Sequence, residues 1–199
     1  MRRVLVLAAV LALAGCGAQP RAGGAPASEA PPPPPPSAAP ATVDGARNPT
    51  DVMFLQMMLA HHEPAATLLE LGRGKATRAD VRGLAGELAT AVAAETRTIT
   101  GWLESWGEPL VSTAHADAHA AHGGLPALGD KEIAELGRTG GAEFDTAFLN
   151  LLIGHQHGAV ELARMEATSG QNPQVKELAA RTDEATRAQI QQLLRMVAG

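Results

Sequence analysis

Seven histidines, six methionines and one cysteine are the soft donors of this 199-residue chain, and their spacing bounds the chemistry it could do. Met57 and Met58 stand one helical turn before His61 and His62, while His155 and His157 lie together further on, and His115, His119 and His122 form a third group. Thioether with imidazole suits copper, Cu(I) in particular, better than Mg²⁺, Ca²⁺ or a di-iron centre, which call for oxygen ligands. The single Cys16 follows an apolar stretch where a lipid anchor would consume it, which leaves no thiolate for a metal, a disulfide or a nucleophile.

A repeat must position these groups. Asp51, Phe54, Leu55, His61 and Ala65 match Asp145, Phe148, Leu149, His155 and Ala159 at one constant offset, and the match continues through Val81 with Val175, Leu84 with Leu178 and Ala85 with Ala179. Asn48 and Pro49 cap a first helix, which Gly72 and Gly74 close. A second runs from about residue 77 or 80 to Trp106, with Gly107 as its stop. The third spans about 144–168, and Asn172 and Pro173 open a fourth that reaches about Val197. Two amphipathic hairpins bury their stripes best against each other, so the expected fold is all-α: a ferritin-like four-helix bundle of two duplicated hairpins with a long crossover between helices two and three. The halves are about 48–107 and 142–199 and the crossover is 108–141, with a short helix over about 130–136.

At about 100° per residue, His155 falls on the core stripe of Phe148, Leu152, Ala159 and Leu162, whereas His157 faces solvent. His61 projects onto the core between Met57 and Met58, and His62 onto its flank, with Asp51 and Asp145 on that same side. The candidate metal site is therefore His61, His62, His155, Met57, Met58, Asp51 and Asp145. Two equivalent core positions that both hold a costly polar residue argue for ligation, because each buried imidazole needs a partner. Pro64 removes one hydrogen bond beside this site and clashes with the carbonyl of Ala60. If the crossover is helical, His115, His119 and His122 share one face and form a second candidate site for Cu(II), Zn²⁺ or Ni²⁺.

The N-terminus reads as a lipoprotein signal: basic Arg2 and Arg3, an apolar stretch from Val4 to Ala14 too short to span a membrane, then Leu13, Ala14, Gly15 and Cys16. Residues 1–15 are the expected signal peptide, and 16–47 the lipidated cysteine with a disordered Pro- and Ala-rich tether containing Pro31 to Pro36. The domain is 48–199, anchored to a bilayer through Cys16 on the extracytoplasmic side. The net charge of −5 offers no basic face for nucleic acid.

Asp51, Phe54, Met58, Leu59, His61, His62, Ala65 and Ala66, followed by Trp102, Leu103, Trp106 and Gly107, resemble the repeated phrase of the domain-of-unknown-function 305 family. The second copy reads Asp145, Phe148, Leu149, Ile153, His155, Gly158, Ala159, Val160 and Ala163. The resemblance implies an exported protein with a ferritin-like fold, in a family of which some members bind copper, and it carries over His61, His62, His155, Met58 and the two aspartates. The chain departs at Gln156, where a second histidine is usual, and at Leu68, Leu162 and Ile99, where methionines are usual. The crossover, often Met-rich in the family, is His-rich here, and imidazole in place of thioether should weaken Cu(I) preference and raise the relative affinity for Cu(II) or zinc.

No glutamate is followed three residues later by histidine, as a di-iron bundle would require, and His62 with Glu63 lacks the second histidine of a zinc peptidase. The expected function is a membrane-tethered, extracytoplasmic metal-binding protein, for copper buffering, chaperoning or tolerance. The alternative is a structural or interaction module of the cell envelope whose histidines are satisfied core residues.

Overall fold

A computed structural model describes residues 43–111 and 128–199. Cys16 and the signal segment lie outside the described residues, as do His115, His119 and His122. Five helices are described, and the all-α expectation holds.

Helix α1, Pro49–Lys75, starts where the cap residues place it. Asn48 Oδ1 accepts from the backbone N–H of Thr50 and Asp51 at 2.9 and 3.1 Å, and Asp51 returns the bond by accepting from Asn48 N at 2.6 Å. The helix continues through Pro64, which costs it the bond to Ala60; Ala60 is exposed, so water can take that carbonyl. Gly72 and Gly74, expected to close the helix, both lie inside it, and the Phe148 ring packs on the bare Cα of Gly72, where a Cβ would come within 2.5 Å. Helix α2, Ala79–Trp106, ends at a left-handed Gly107. Helix α3, Asp130–Arg138, is the short helix expected in the crossover. Helix α4, Gly141–Ser169, begins three residues before the expected Phe144, and α5, Pro173–Ala198, is capped by Asn172 as expected.

α1 packs on α2, α4 packs on α5, and the hairpins meet along α1 and α4, while α2 and α5 hardly touch. The apolar core divides into two clusters. One gathers Phe144, Phe148, Leu149 and Leu152 with Leu68, Val81 and Leu84; the other gathers Phe54, Leu55 and Met58 with Ile99, Trp102, Leu103 and Val175. Full burial of each large side chain contributes roughly 1.5–3 kcal/mol, so these two clusters hold the hairpins together. The polar residues His61, His62, His155 and Gln156 occupy the stretches of α1 and α4 between them.

The two repeated aspartates close the ends of the bundle by reaching across the hairpins. Asp145 of α4 accepts from Thr77 N at 2.8 Å and Arg78 N at 2.9 Å, and from the Thr77 hydroxyl, at the start of α2. Asp51 of α1 accepts from Gln171 N and Asn172 N at 2.9 and 2.8 Å, at the start of α5. Arg78 has no capping side chain of its own, so α2 takes its cap from the opposite hairpin. Burial pushes both aspartates up, but these donors outweigh it and hold both below the usual carboxylate value. Buried Glu166 adjoins Asp51, and burial together with that carboxylate pushes it up to about 8.

The packed chain begins earlier than the expected residue 48. Val43 is buried in the second cluster, Asp44 N donates to Gln174 Oε1 at 2.7 Å, and Arg47 lies over the Trp106 ring at 4.8 Å. The stretch carries little apolar surface, and these long-range partners cannot be read from its composition.

Candidate metal centre

The middle of the bundle holds a partly open cavity of about 60 Å³ lined by all four long helices. α1 supplies Met58, His61 and His62; α4 supplies His155 and Gln156; α2 supplies Glu95; and α5 supplies Thr182, Thr186 and Gln189. Such a volume holds an ion with a few waters.

His61 and His155, 94 residues apart, meet across the hairpin seam with ring centroids 3.7 Å apart and planes at 17°. His61 Nε2 donates to the His155 carbonyl at 3.1 Å. Nitrogen lone pairs lie in the ring plane, so two stacked imidazoles do not aim them at a point between their faces. A metal shared between these rings, the expectation from the repeat, does not fit the stack. Gly158 makes the stack possible, since a Cβ there would stand 3.2 Å from His61 Nε2. The matching position in α1 is Pro64, a ring where α4 has only hydrogen, and His155 makes no return bond. Its Nε2 is buried and has no hydrogen-bond partner among the described residues.

His62, expected on the flank, is buried against α2. Its Nδ1 lies 2.9 Å from Thr96 Oγ1, and its Nε2 faces Glu95 Oε1 at 3.8 Å, beyond hydrogen-bond range. Burial, then the neighbouring histidine charges, lowers both His62 and His155 to about 3. Both rings are therefore neutral at physiological pH and keep a lone pair for a metal. Burial raises Glu95 to about 7 against the opposing bond from Thr182 and charge of Arg181. Thr182 Oγ1 donates to the same Glu95 oxygen at 3.3 Å.

The structure brings together His61, His62, His155 and Met58 and leaves out the other three expected ligands. Asp51 precedes His61 by ten residues, roughly 15 Å of helix, and spends its oxygens on backbone N–H groups; Asp145 does the same at the other end. Met57 is buried but does not line the cavity. Glu95 was not among the expected residues, although it sits three residues after Val92 and four before Ile99, a charged residue on an apolar stripe. Among the described residues, no three His, Asp or Glu side chains gather at metal-holding distance. The donors still fit a soft ion: the Met58 thioether and a neutral imidazole on each hairpin, His62 and His155, the latter with a buried Nε2 that no described residue satisfies.

Comparison with known proteins agrees with this architecture. A DUF305 protein of Streptomyces coelicolor described as secreted is 26% identical, with 75% of this chain and 92% of that one covered and a TM-score of 0.70. A DUF305 fragment from Deinococcus radiodurans is 25% identical over 77% of this chain and 99% of its own, at 0.68. CopM in its Cu(I)-bound form shares the fold at 24% identity over 73% of this chain and 94% of CopM, with a TM-score of 0.59. No curated protein matches. The family model for the domain of unknown function DUF305 matches residues 51–197, and the chain belongs to that family.

Proposed function

We propose that this protein binds copper in the central cavity of its bundle, on the extracytoplasmic side of a membrane to which Cys16 tethers it. The observation that carries the reading is the buried His155 Nε2 without a partner, in a cavity also lined by Met58 and His62. An unsatisfied buried nitrogen costs about 1–3 kcal/mol, so a site that keeps one favours a ligand that would coordinate it. CopM, which has the same fold, has been crystallised with Cu(I), Cu(II) and silver, and this supports copper as the ion. Met58, His62 and His155 would hold it, with His61 stacked behind His155 to fix that ring. The role in this reading is copper buffering, chaperoning or tolerance. Among the described residues no helix is long and apolar enough to cross a membrane.

A second reading is favoured by the His61 stack and its bond to the His155 carbonyl: histidines that serve packing alone, in an envelope interaction module. Competition titration of the purified protein, with His115, His119 and His122 replaced by alanine, separates the two. Sub-micromolar Cu(I) uptake that a His155→Ala variant loses supports the copper reading. No uptake by the parent sinks it.

A further inference from the structure

The two halves of the bundle carry the same pair of facing positions, filled with different chemistry. In the second half, Gln156 of α4 donates to Gln189 of α5 through a direct amide hydrogen bond. The equivalent positions in the first half, on α1 and α2, hold His62 and Glu95, and this pair stands open, Nε2 to Oε1, at 3.8 Å. That gap is too long for a hydrogen bond. Two donors at about 2.0–2.1 Å from one tetrahedral zinc stand about 3.3–3.4 Å apart, so closure by about half an ångström brings His62 and Glu95 onto a common ion.

A threonine hydroxyl already holds each group. Thr96 Oγ1 holds His62 Nδ1 at 2.9 Å, and the tautomer in which Nδ1–H donates to that hydroxyl turns the Nε2 lone pair toward Glu95. Thr182 Oγ1, from the opposite hairpin, donates at 3.3 Å to Glu95 Oε1, the same oxygen that faces His62, and so holds that oxygen in place. His155 Nε2 lines the same cavity.

We propose that His62 and Glu95 form an imidazole–carboxylate clamp for a divalent cation, Zn²⁺ or Cu(II), and that this one-sided pair gives the cavity a divalent specificity that its thioether alone would not. An anionic oxygen favours the harder divalent ion over Cu(I), so Glu95 is the specificity-determining residue of the site. The clamp rests on the metal-binding reading above, and it extends that reading by naming a residue on a helix to which the repeat assigned no donor. Water fills the remaining positions.

Zn²⁺, Cu(II) and Cu(I) affinities are measured by competition on the full chain carrying His115→Ala, His119→Ala and His122→Ala, beside the same chain with Glu95→Gln. The expected result is a loss of at least tenfold in Zn²⁺ and Cu(II) affinity with Cu(I) changed less than threefold. Unchanged Zn²⁺ affinity, or an equal loss for all three ions, overturns the clamp while copper binding itself stands. If the parent chain binds none of the three, the copper reading and the clamp both fall. Should Glu95→Gln fail to fold, Glu95→Asp decides: the carboxylate shortened by one methylene should lose Zn²⁺ and Cu(II) affinity while Cu(I) changes less than threefold, and unchanged Zn²⁺ affinity overturns the proposal.

Discussion

Replacing Asp145 with alanine separates a structural tie from a metal ligand. The carboxylate is 3% exposed and accepts from Thr77 N, the Thr77 hydroxyl and Arg78 N, so it caps α2 from the opposite hairpin. Loss of a helix N-cap costs about 0.5–2 kcal/mol, and loss of the hydroxyl bond to a charged acceptor adds about 1.5 kcal/mol. Thr77 is exposed, so water replaces part of what is lost, which places the net cost at about 2–3 kcal/mol. For a domain of this size each kcal/mol lowers Tm by about 2–4 °C, so a fall of roughly 4–12 °C is expected. Urea and thermal unfolding followed by circular dichroism measure it, and metal titration of the same variant should match the parent. Asp51→Ala should cost a similar amount. The two ties sit at opposite ends of the bundle and share no partner, so the double variant should be additive within about 0.5 kcal/mol. A change below about 0.5 kcal/mol in Asp145→Ala, or loss of metal affinity with the fold intact, would refute the assignment.

Four other outcomes are expected. Gly72→Ala should destabilise by about 1–3 kcal/mol, because its Cβ would come within 2.5 Å of the buried Phe148 ring and 3.0 Å of Ala85, an overlap that outweighs the helix-propensity gain. Gly83→Ala, with nothing within 4 Å, should instead gain up to about 1 kcal/mol in the same melts. Gly158→Ala should leave stability within about 1 kcal/mol, since helix propensity offsets a weakened His61 bond, yet it should shift the His61 and His155 ring resonances in NMR. Stability should peak between about pH 4.5 and 6.5. Glu95 and Glu166, raised to about 7 and about 8, contribute stability in acid that is lost as pH rises through those values, whereas His62 and His155, lowered to about 3, contribute stability above 6.5 that is lost as pH falls below it. Urea titrations from pH 4 to 9 measure the profile, and Glu166→Gln should flatten its alkaline limb. A maximum at pH 8 would contradict the assignment.

The hairpins were legible because helical period and duplication are local signals, and Phe54, Phe148, Val81 and Val175 are buried as that periodicity requires. The roles of Asp51 and Asp145 were not. Their partners are backbone N–H groups of turns 67 to 121 residues away, and no side-chain pattern marks a backbone donor. His155 and His61 were legible as inward positions, but their stack depends on Gly158, whose importance lies in an absent Cβ. Glu95 left a trace in the sequence, a charge amid Val92 and Ile99, and it gained meaning only when α2 placed it opposite His62.

The copper anomalous difference map of crystals grown with the ion, from protein lacking His115, His119 and His122, tests the central claim most directly. The account places one peak in the cavity, within bonding distance of His62 Nε2 and His155 Nε2. A peak at Asp51 or Asp145, or no peak in the cavity at saturating copper, would contradict it.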